Sequence, residues 1–294
     1  MHMTAKEPKV EAPKRVGLVA NMGQDLAMSA AEKALKALKG EKGLDVVVED
    51  RLARRLGLAK GVPQSKIDVD MLIIAGGDGT ILHALHMTNA PVLSINTGVV
   101  GFLAELSTEE IEKGIKAVLE GEFLLDERMR LKSTVNGRRQ LDATNEVVVH
   151  TAAVSKMMTL ELAIDGAYVD TVRADGLIAA TPTGSTSYAL SSGGPIVDPR
   201  VRCIVLSPIA PFNLHSRPMV VPADSITQIS TTEQHYPGLV VIDGQHEVHF
   251  RQRTTVEITV SDSPAYFVRM GEGFYEKLRR KFIAVYPCDA SEDQ

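Results

Sequence analysis

The chain has 294 residues, 44% apolar and 23% charged, with a net charge of −5. That length suffices for two domains with cores of their own, and an acidic chain without a dense Lys/Arg block argues against a nucleic-acid partner. No apolar run approaches the roughly 18 residues of a membrane span, and Cys203 with Cys288 makes neither a disulfide framework nor a metal cluster.

The opening "MHMTAKEPKVEAP" (1–13) is polar and holds two prolines. It is neither signal peptide nor anchor, and the expectation is a disordered tail on a cytoplasmic protein. From there the chain alternates. "RVGLVA" (15–20) and "LDVVVED" (44–50) predict strands, and "DLAMSAAEKALKALKG" (25–40) between them has helical spacing with a closing glycine. "DMLIIAGG" (70–77) is a continuous apolar run, as a parallel strand buried on both faces requires. "TILHALHMT" (80–88) predicts a helix, "PVLSIN" (91–96) a strand and "STEEIEKGIKAVLEG" (107–121) a helix, with Ser107 as N-cap and Glu110 completing a capping box. This alternation predicts an α/β N-terminal domain with a parallel sheet over 14–125.

After Leu125 the pattern changes. Asn136–Gly137 and Asp165–Gly166 each sit between strand-like runs, a strong hairpin signal. Further short strands follow, so 126–262 is expected to be a mostly-β C-terminal domain. "GEGFYEKLRRKF" (271–282) predicts a final helix.

The chemistry concentrates in two places. "IIAGGDGT" (73–80) runs a buried strand into a glycine turn and then a helix. Such a turn presents unpaired backbone N–H groups at a positive helix end, a ready phosphate site. A carboxylate there, Asp78, would repel phosphate unless it held a metal or accepted a proton from an attacking hydroxyl. The bland alternative is a tight turn with a capping Asp. Neither a GxGxxG fingerprint nor a GxxxxGK[ST] loop is present. The second place, "TPTGSTSYALSS" (181–192), offers eight hydroxyls around Gly184, which suits phosphate and ribose oxygens, or simply a Ser/Thr-rich surface loop. Asn145 and Glu146 could read an adenine edge or a ribose diol, though the pair alone carries no signal. Phe102 could stack on a base or belong to a core.

Taken together and in this order, "GGDGT" (76–80), "NE" (145–146), "DGLIAATPTGSTSYALSSGGP" (175–195) and "DGQ" (243–245) strongly resemble the NAD kinase family, in its ATP-dependent, bacterial-type form. "INTGVVGFLAEL" (95–106) is similar to that family's segment after the next strand. The resemblance implies transfer of the ATP γ-phosphoryl to the 2′-hydroxyl of the adenosine ribose of NAD, giving NADP. It also implies a divalent metal cation, Mg²⁺ expected, a dinucleotide-binding β domain over 126–262, and a segment 263–294 that returns to the first domain. Partners would be NAD, NADP and ATP, with no nucleic acid and no membrane, in a homodimer or homotetramer.

Residue by residue, Asp78 falls on the family's proton acceptor and Gly79 beside it. Asn145, Glu146 and Asp175 fall on nucleotide-binding positions. Thr186, Ser187, Tyr188, Ala189, Leu190 and Ser191 match the loop that wraps the dinucleotide. His83, Lys156, Arg173, Ala210 and Gln245 fall on further ligand contacts; no metal ligand is assigned. A basic residue at Arg173 accompanies, in the family, preference for NAD over NADH and for ATP over polyphosphate. "PFNLHSRP" (211–218) departs from the common "PHTLSNRP" at Phe212 and Asn213. A lipid kinase sharing GGDGT and a dinucleotide sensor without turnover are the competing readings.

Overall fold

Runs that are apolar without interruption become strands covered on both faces, and alternating runs become strands covered on one. The computed structural model describes residues 11–98, 101–232, 236–251, 253–271 and 273–283. Of the tail expected over 1–13, residues 1–10 lie outside the described residues. The chain divides into two units, Met1–Asp126 with Tyr266–Gln294, and Glu127–Ala265.

The elements of the first unit begin with β1 (Arg15–Ala20), α1 (Asp25–Lys39), β2 (Asp45–Val48), α2 (Asp50–Arg55) and β3 (Met71–Ala75). They continue with α3 (Asp78–Leu85), β4 (Val92–Ile95), α4 (Ile111–Leu119) and β5 (Leu124–Arg128). All five residues of β3 are buried. Helix α1 presents Ala27, Ala31, Ala34, Leu35 and Leu38 to a core that also takes in Ile111, Ile115 and Val118 of α4.

Three sequence expectations need correction. The strand expected over 44–50 stops at Val48, because the buried Glu49 carboxylate accepts the Leu52 N–H at 2.8 Å and caps α2. The helix expected over 80–88 begins at Asp78, with Gly77 extended at its N-cap. The helix expected over 107–121 begins at Ile111, so Ser107 is not its N-cap. A turn occupies 108–110, and only the reciprocal half of the expected box forms, Ser107 N–H donating to Glu110 Oε2 at 2.9 Å.

The second unit holds β6 (Leu131–Val135), β7 (Arg138–Arg139), β8 (Glu146–Thr151), β9 (Met158–Ile164), β10 (Ala167–Ala174) and β11 (Gly176–Ala180). A short helix α5 (Tyr188–Ser191) precedes β12 (Cys203–Ile209), β13 (Met219–Pro222), β14 (Thr227–Thr231), β15 (Gly238–Ile242), β16 (His246–Phe250) and β17 (Thr255–Val260). They form two six-stranded sheets, β10-β9-β14-β17-β6-β7 and β13-β12-β11-β8-β15-β16, antiparallel throughout. Leu160, Leu162, Ile229, Val256 and Ile258 of the first sheet share one core with Val147, Val149, Leu177, Ile204 and Val240 of the second. The other face of β8, β11 and β12 packs Val148, Ile178, Ala180 and Val205 against Ala189 of α5. Asn136–Gly137 and Asp165–Gly166 turn the chain with positive φ at both residues, as does Asp243–Gly244 between β15 and β16.

The chain then re-enters the first unit as β18 (Ala265–Arg269) and α6 (Phe274–Leu278). The first sheet has the order β2-β1-β3-β4-β18-β5, and the β1–β2, β1–β3, β3–β4 and β4–β18 pairs are parallel.

Candidate functional site

In the first unit, β3 ends at Ala75 and the glycines carry the chain into α3. Gly76 has no side chain because Thr80 fills that space, 2.6 Å from where a Cβ would stand. Asp78 is therefore the first residue of the helix, and its carboxylate turns to the 101–103 loop. Oδ2 accepts the Phe102 N–H at 3.0 Å and Oδ1 accepts the Leu103 N–H at 3.3 Å. Gly101 lies so close against this carboxylate that any Cβ would overlap it. Two N–H donors fix the plane of the carboxylate, while each oxygen keeps lone-pair capacity for a hydroxyl. Gly79 and His83 are exposed on α3. Phe102 is half-buried, its ring 6.4 Å from that of Phe274 and 4.3 Å beneath the Lys281 ammonium.

In the second unit, Glu146 begins β8 with Asn145 just before it, and both are buried. The buried Asp243 carboxylate, from the β15–β16 turn, accepts the N–H groups of Thr144, Asn145 and Glu146 at 2.8, 2.7 and 3.1 Å. The hydroxyl-rich loop closes on the same place. Thr181 N–H donates to Asn145 O at 2.8 Å, Thr181 Oγ1 donates to Thr144 O at 2.6 Å, and Gly184 sits directly on the Asn145 backbone, where a Cβ could not fit.

Several of the eight hydroxyls thus serve the loop itself. Thr181 Oγ1 also accepts the Gly184 N–H, Ser185 Oγ donates to Pro182 O and accepts the Val197 N–H, and Thr186 Oγ1 donates to Thr183 O. Ser187 is different, because it hydrogen-bonds the Glu146 side chain. Burial, and then the neighbouring Asp243 charge, push the Glu146 carboxyl up to about 8, with the Ser187 bond pulling the other way. Glu146 Oε2 is buried without a hydrogen-bond partner. A neutral carboxyl with one unsatisfied oxygen, next to half-exposed Thr186 and Ser187, is poised to bond a polar ligand. Tyr188 and Ser191 are exposed, Leu190 is half-buried and Ala189 is core. Gln245 follows Asp243 in the same turn.

The other expected site residues gather elsewhere in this unit. Asp175 bonds Ile209 O through its N–H, and Arg173 O accepts the Phe212 N–H, with the guanidinium 5.1 Å over the Phe212 ring. Ala210, in a left-handed conformation at φ 44, lies in the same place. Lys156 sits 5.1 Å over the Tyr236 ring. Because Ala180 pairs with Glu146 and Gly176 with His150, the two groups lie at opposite ends of β8, about 17 Å apart at the usual strand rise. One chain does not bring them together.

The motif "DGQ" points to Gln245, whereas the heavier structural role falls to Asp243, two residues before it. Gly101 and the two N–H donors that orient Asp78 carried no side-chain signal at all. Among the described residues no group of three or more His, Cys, Asp and Glu could hold a metal, and no helix is long and apolar enough to cross a membrane.

A glycine turn at a helix N-terminus in a parallel-sheet unit, with a buried carboxyl under a hydroxyl-rich loop in a β unit, defines a nucleotide-handling class of protein. The ATP-NAD kinase N-terminal domain model matches residues 16–123 and the ATP-NAD kinase C-terminal domain model matches residues 144–270. The chain belongs to the NAD kinase family. It is 37% identical over 274 residues to the NAD kinase of Methanosphaera stadtmanae, spanning 92% of this chain and 99% of that one. The NAD kinase of Thermococcus kodakarensis is 39% identical over 273 residues, 91% of this chain and 98% of that one. Among solved structures, an NAD kinase from Archaeoglobus fulgidus in complex with ATP superposes with TM-score 0.70 at 32% identity, covering 92% of this chain and 98% of that one. Yeast NADH kinase complexed with NADH shares the fold at TM-score 0.84 and 24% identity, over 97% of this chain and 90% of that one.

Proposed function

We infer that this chain is an NAD kinase, transferring the γ-phosphoryl of ATP to the 2′-hydroxyl of the adenosine ribose of NAD to give NADP and ADP. Family membership across both units supports the activity. The observation that carries the mechanism is the Asp78 carboxylate, oriented by two backbone N–H groups at the glycine turn. In the proposed step the ribose oxygen bonds the γ-phosphorus, the bond from that phosphorus to ADP breaks, and the hydroxyl proton passes to Asp78. The transition state is loose, so the hydroxyl becomes acidic late and the carboxylate acts through its orientation.

Asn145, Glu146, Asp175 and the 186–191 loop would hold the dinucleotide, and Gly79, His83, Ala210 and Gln245 would add contacts. Lys156 and Arg173 would face phosphate charge, and Arg173 would favour NAD and ATP. The described residues supply no cage for a resident cation. A Mg²⁺ ion carried by the triphosphate would offset the repulsion between Asp78 and phosphate. A homodimer or homotetramer in the cytoplasm is part of the proposal. The separation of Arg173, Asp175 and Ala210 from Glu146 favours it, since a neighbouring copy could present them to the nucleotide.

The test supplies NAD, ATP and Mg²⁺ and reads NADP with an NADP-specific dehydrogenase, with polyphosphate in a parallel tube. Wild type should form NADP. Asp78→Asn should keep NAD affinity and lose turnover by about 10²- to 10⁴-fold. No NADP from wild type refutes the activity, and a near wild-type rate in the variant removes Asp78 from its role.

A further inference from the structure

The loop that orients Asp78 is itself held by groups arriving from the far end of the sequence. Leu103 O accepts from Ser94 Oγ at 3.0 Å and from Arg269 Nη1 at 3.1 Å. Ala104 O accepts from Lys277 Nζ at 2.9 Å. Glu105 Oε2 accepts from Arg269 Nη1 at 2.9 Å and Lys277 Nζ at 2.8 Å, while its Oε1 accepts the Met270 N–H at 2.8 Å. Arg269 Nε completes the cluster on Asp126 at 3.1 Å. The Glu105 and Lys277 side chains are 3% and 5% exposed, so this ion cluster is desolvated and its geometry is strongly enforced. Burial pushes the Glu105 carboxyl up, and the Lys277 and Arg269 charges bring it net below the usual range.

These anchors fall on residues 103, 104 and 105, immediately beside the Phe102 and Leu103 N–H groups that hold Asp78. We propose that Lys277 and Arg269 are positioning residues for the proton acceptor: their side chains clamp the 103–105 backbone so that the Phe102 and Leu103 amides hold the Asp78 carboxylate in one orientation. Neither cation touches substrate in this arrangement. Their effect passes through Glu105 and two carbonyls to the amides. The cluster also explains why a lysine is buried on a five-residue helix, α6, where a merely structural position would take an apolar residue.

The inference rests on the kinase reading, so NADP formation by wild type is measured first in the same series. Its absence would refute that reading and leave the clamp to be decided by exchange. Hydrogen exchange on the full wild-type chain should show the 101–105 amides protected relative to exposed turns. In Lys277→Met the same amides should exchange faster. Its kcat should fall about ten- to a hundredfold, as misplacement of a reacting group does. The KM values for NAD and ATP should stay within about twofold, because ground-state binding is untouched. Lys277→Arg, which keeps the charge, should recover most of the loss. Fast exchange at 101–105 in wild type, or a folded Lys277→Met with unchanged kcat, would overturn the clamp. So would a kcat loss no larger than the fall in folded fraction. If Lys277→Met does not fold, wild-type protection and the kcat of Lys277→Arg decide the matter.

Discussion

Replacing Glu146 by Gln should stabilise the ligand-free protein at neutral pH, even though it removes a residue from the proposed nucleotide site. Glu146 is buried at the start of β8 beside the Asp243 carboxylate, with Oε2 unpartnered. Its carboxyl is raised from an ordinary 4.5 to about 8. A folded value above the unfolded one means that the folded state holds a proton the unfolded chain releases. The associated stability is complete below about pH 4.5 and is lost as the pH rises through 8. At pH 7 the interval above the unfolded value, at about 1.4 kcal/mol per pH unit, corresponds to roughly 3 kcal/mol of stability forgone.

Glutamine keeps the shape and cannot ionise, so it escapes that loss. Its advantage over wild type should be near zero at pH 4.5 and grow steadily to pH 8. At pH 7, 3 kcal/mol corresponds to a gain in Tm of about 6 to 12 °C. Thermal melts of both proteins from pH 4.5 to 8.5 measure the difference directly, because every other titrating group is common to the two. A difference that is flat across pH, or a glutamine variant less stable at pH 7.5, would refute the reasoning. NAD titration of the same samples should show weaker binding by the variant.

Further substitutions probe the two units separately. Gly101→Ala should abolish most turnover while leaving Tm within a few degrees, since the nearest atoms its methyl meets are those of the Asp78 carboxylate, which can turn away at the expense of its orientation; steady-state kinetics with a parallel melt would check this. Asp243→Asn should cost about 2 to 3 kcal/mol at pH 7, because an amide cannot accept from three N–H groups at once and one amide hydrogen faces a donor; chemical denaturation measures it, and an unchanged midpoint would contradict the assignment.

Much of the scaffold was legible because burial leaves a pattern in the chain. The all-buried β3 reads as an uninterrupted apolar run, and the Asn136–Gly137 and Asp165–Gly166 turns read from the residues that tolerate left-handed φ. Helix α2 was hidden because its cap, Glu49, looks like the polar end of a strand until its carboxylate is seen turned inward. The residue pattern places the start of helix α3 two residues late because glycines disfavour helix, although Asp78 and Gly79 lie inside it. Asp78 and Glu146 were named through family resemblance; local pattern alone left both open.

What orients them was not legible. The donors to Asp78 are backbone amides, and Asp243 acts on residues 97 to 99 positions away. The strand β18, "AYFVR", joins a sheet whose other members, β1 to β5, precede it by more than a hundred residues. Contacts of that range leave no periodicity for a single sequence to show.

That late strand sets an order of events during synthesis. The unit Glu127–Ala265 is contiguous and contains every strand of its two sheets, so it can fold as soon as it emerges. The first sheet cannot close on the same schedule. Its strand β4 pairs with β3 at once, but its other neighbour, β18, is made only after the whole second unit. Until then an apolar edge stands open, the condition under which nascent chains pair wrongly. Arg269 and Lys277 lie in and just after β18, so the loop beside Asp78 acquires its anchors only once the second unit has been made.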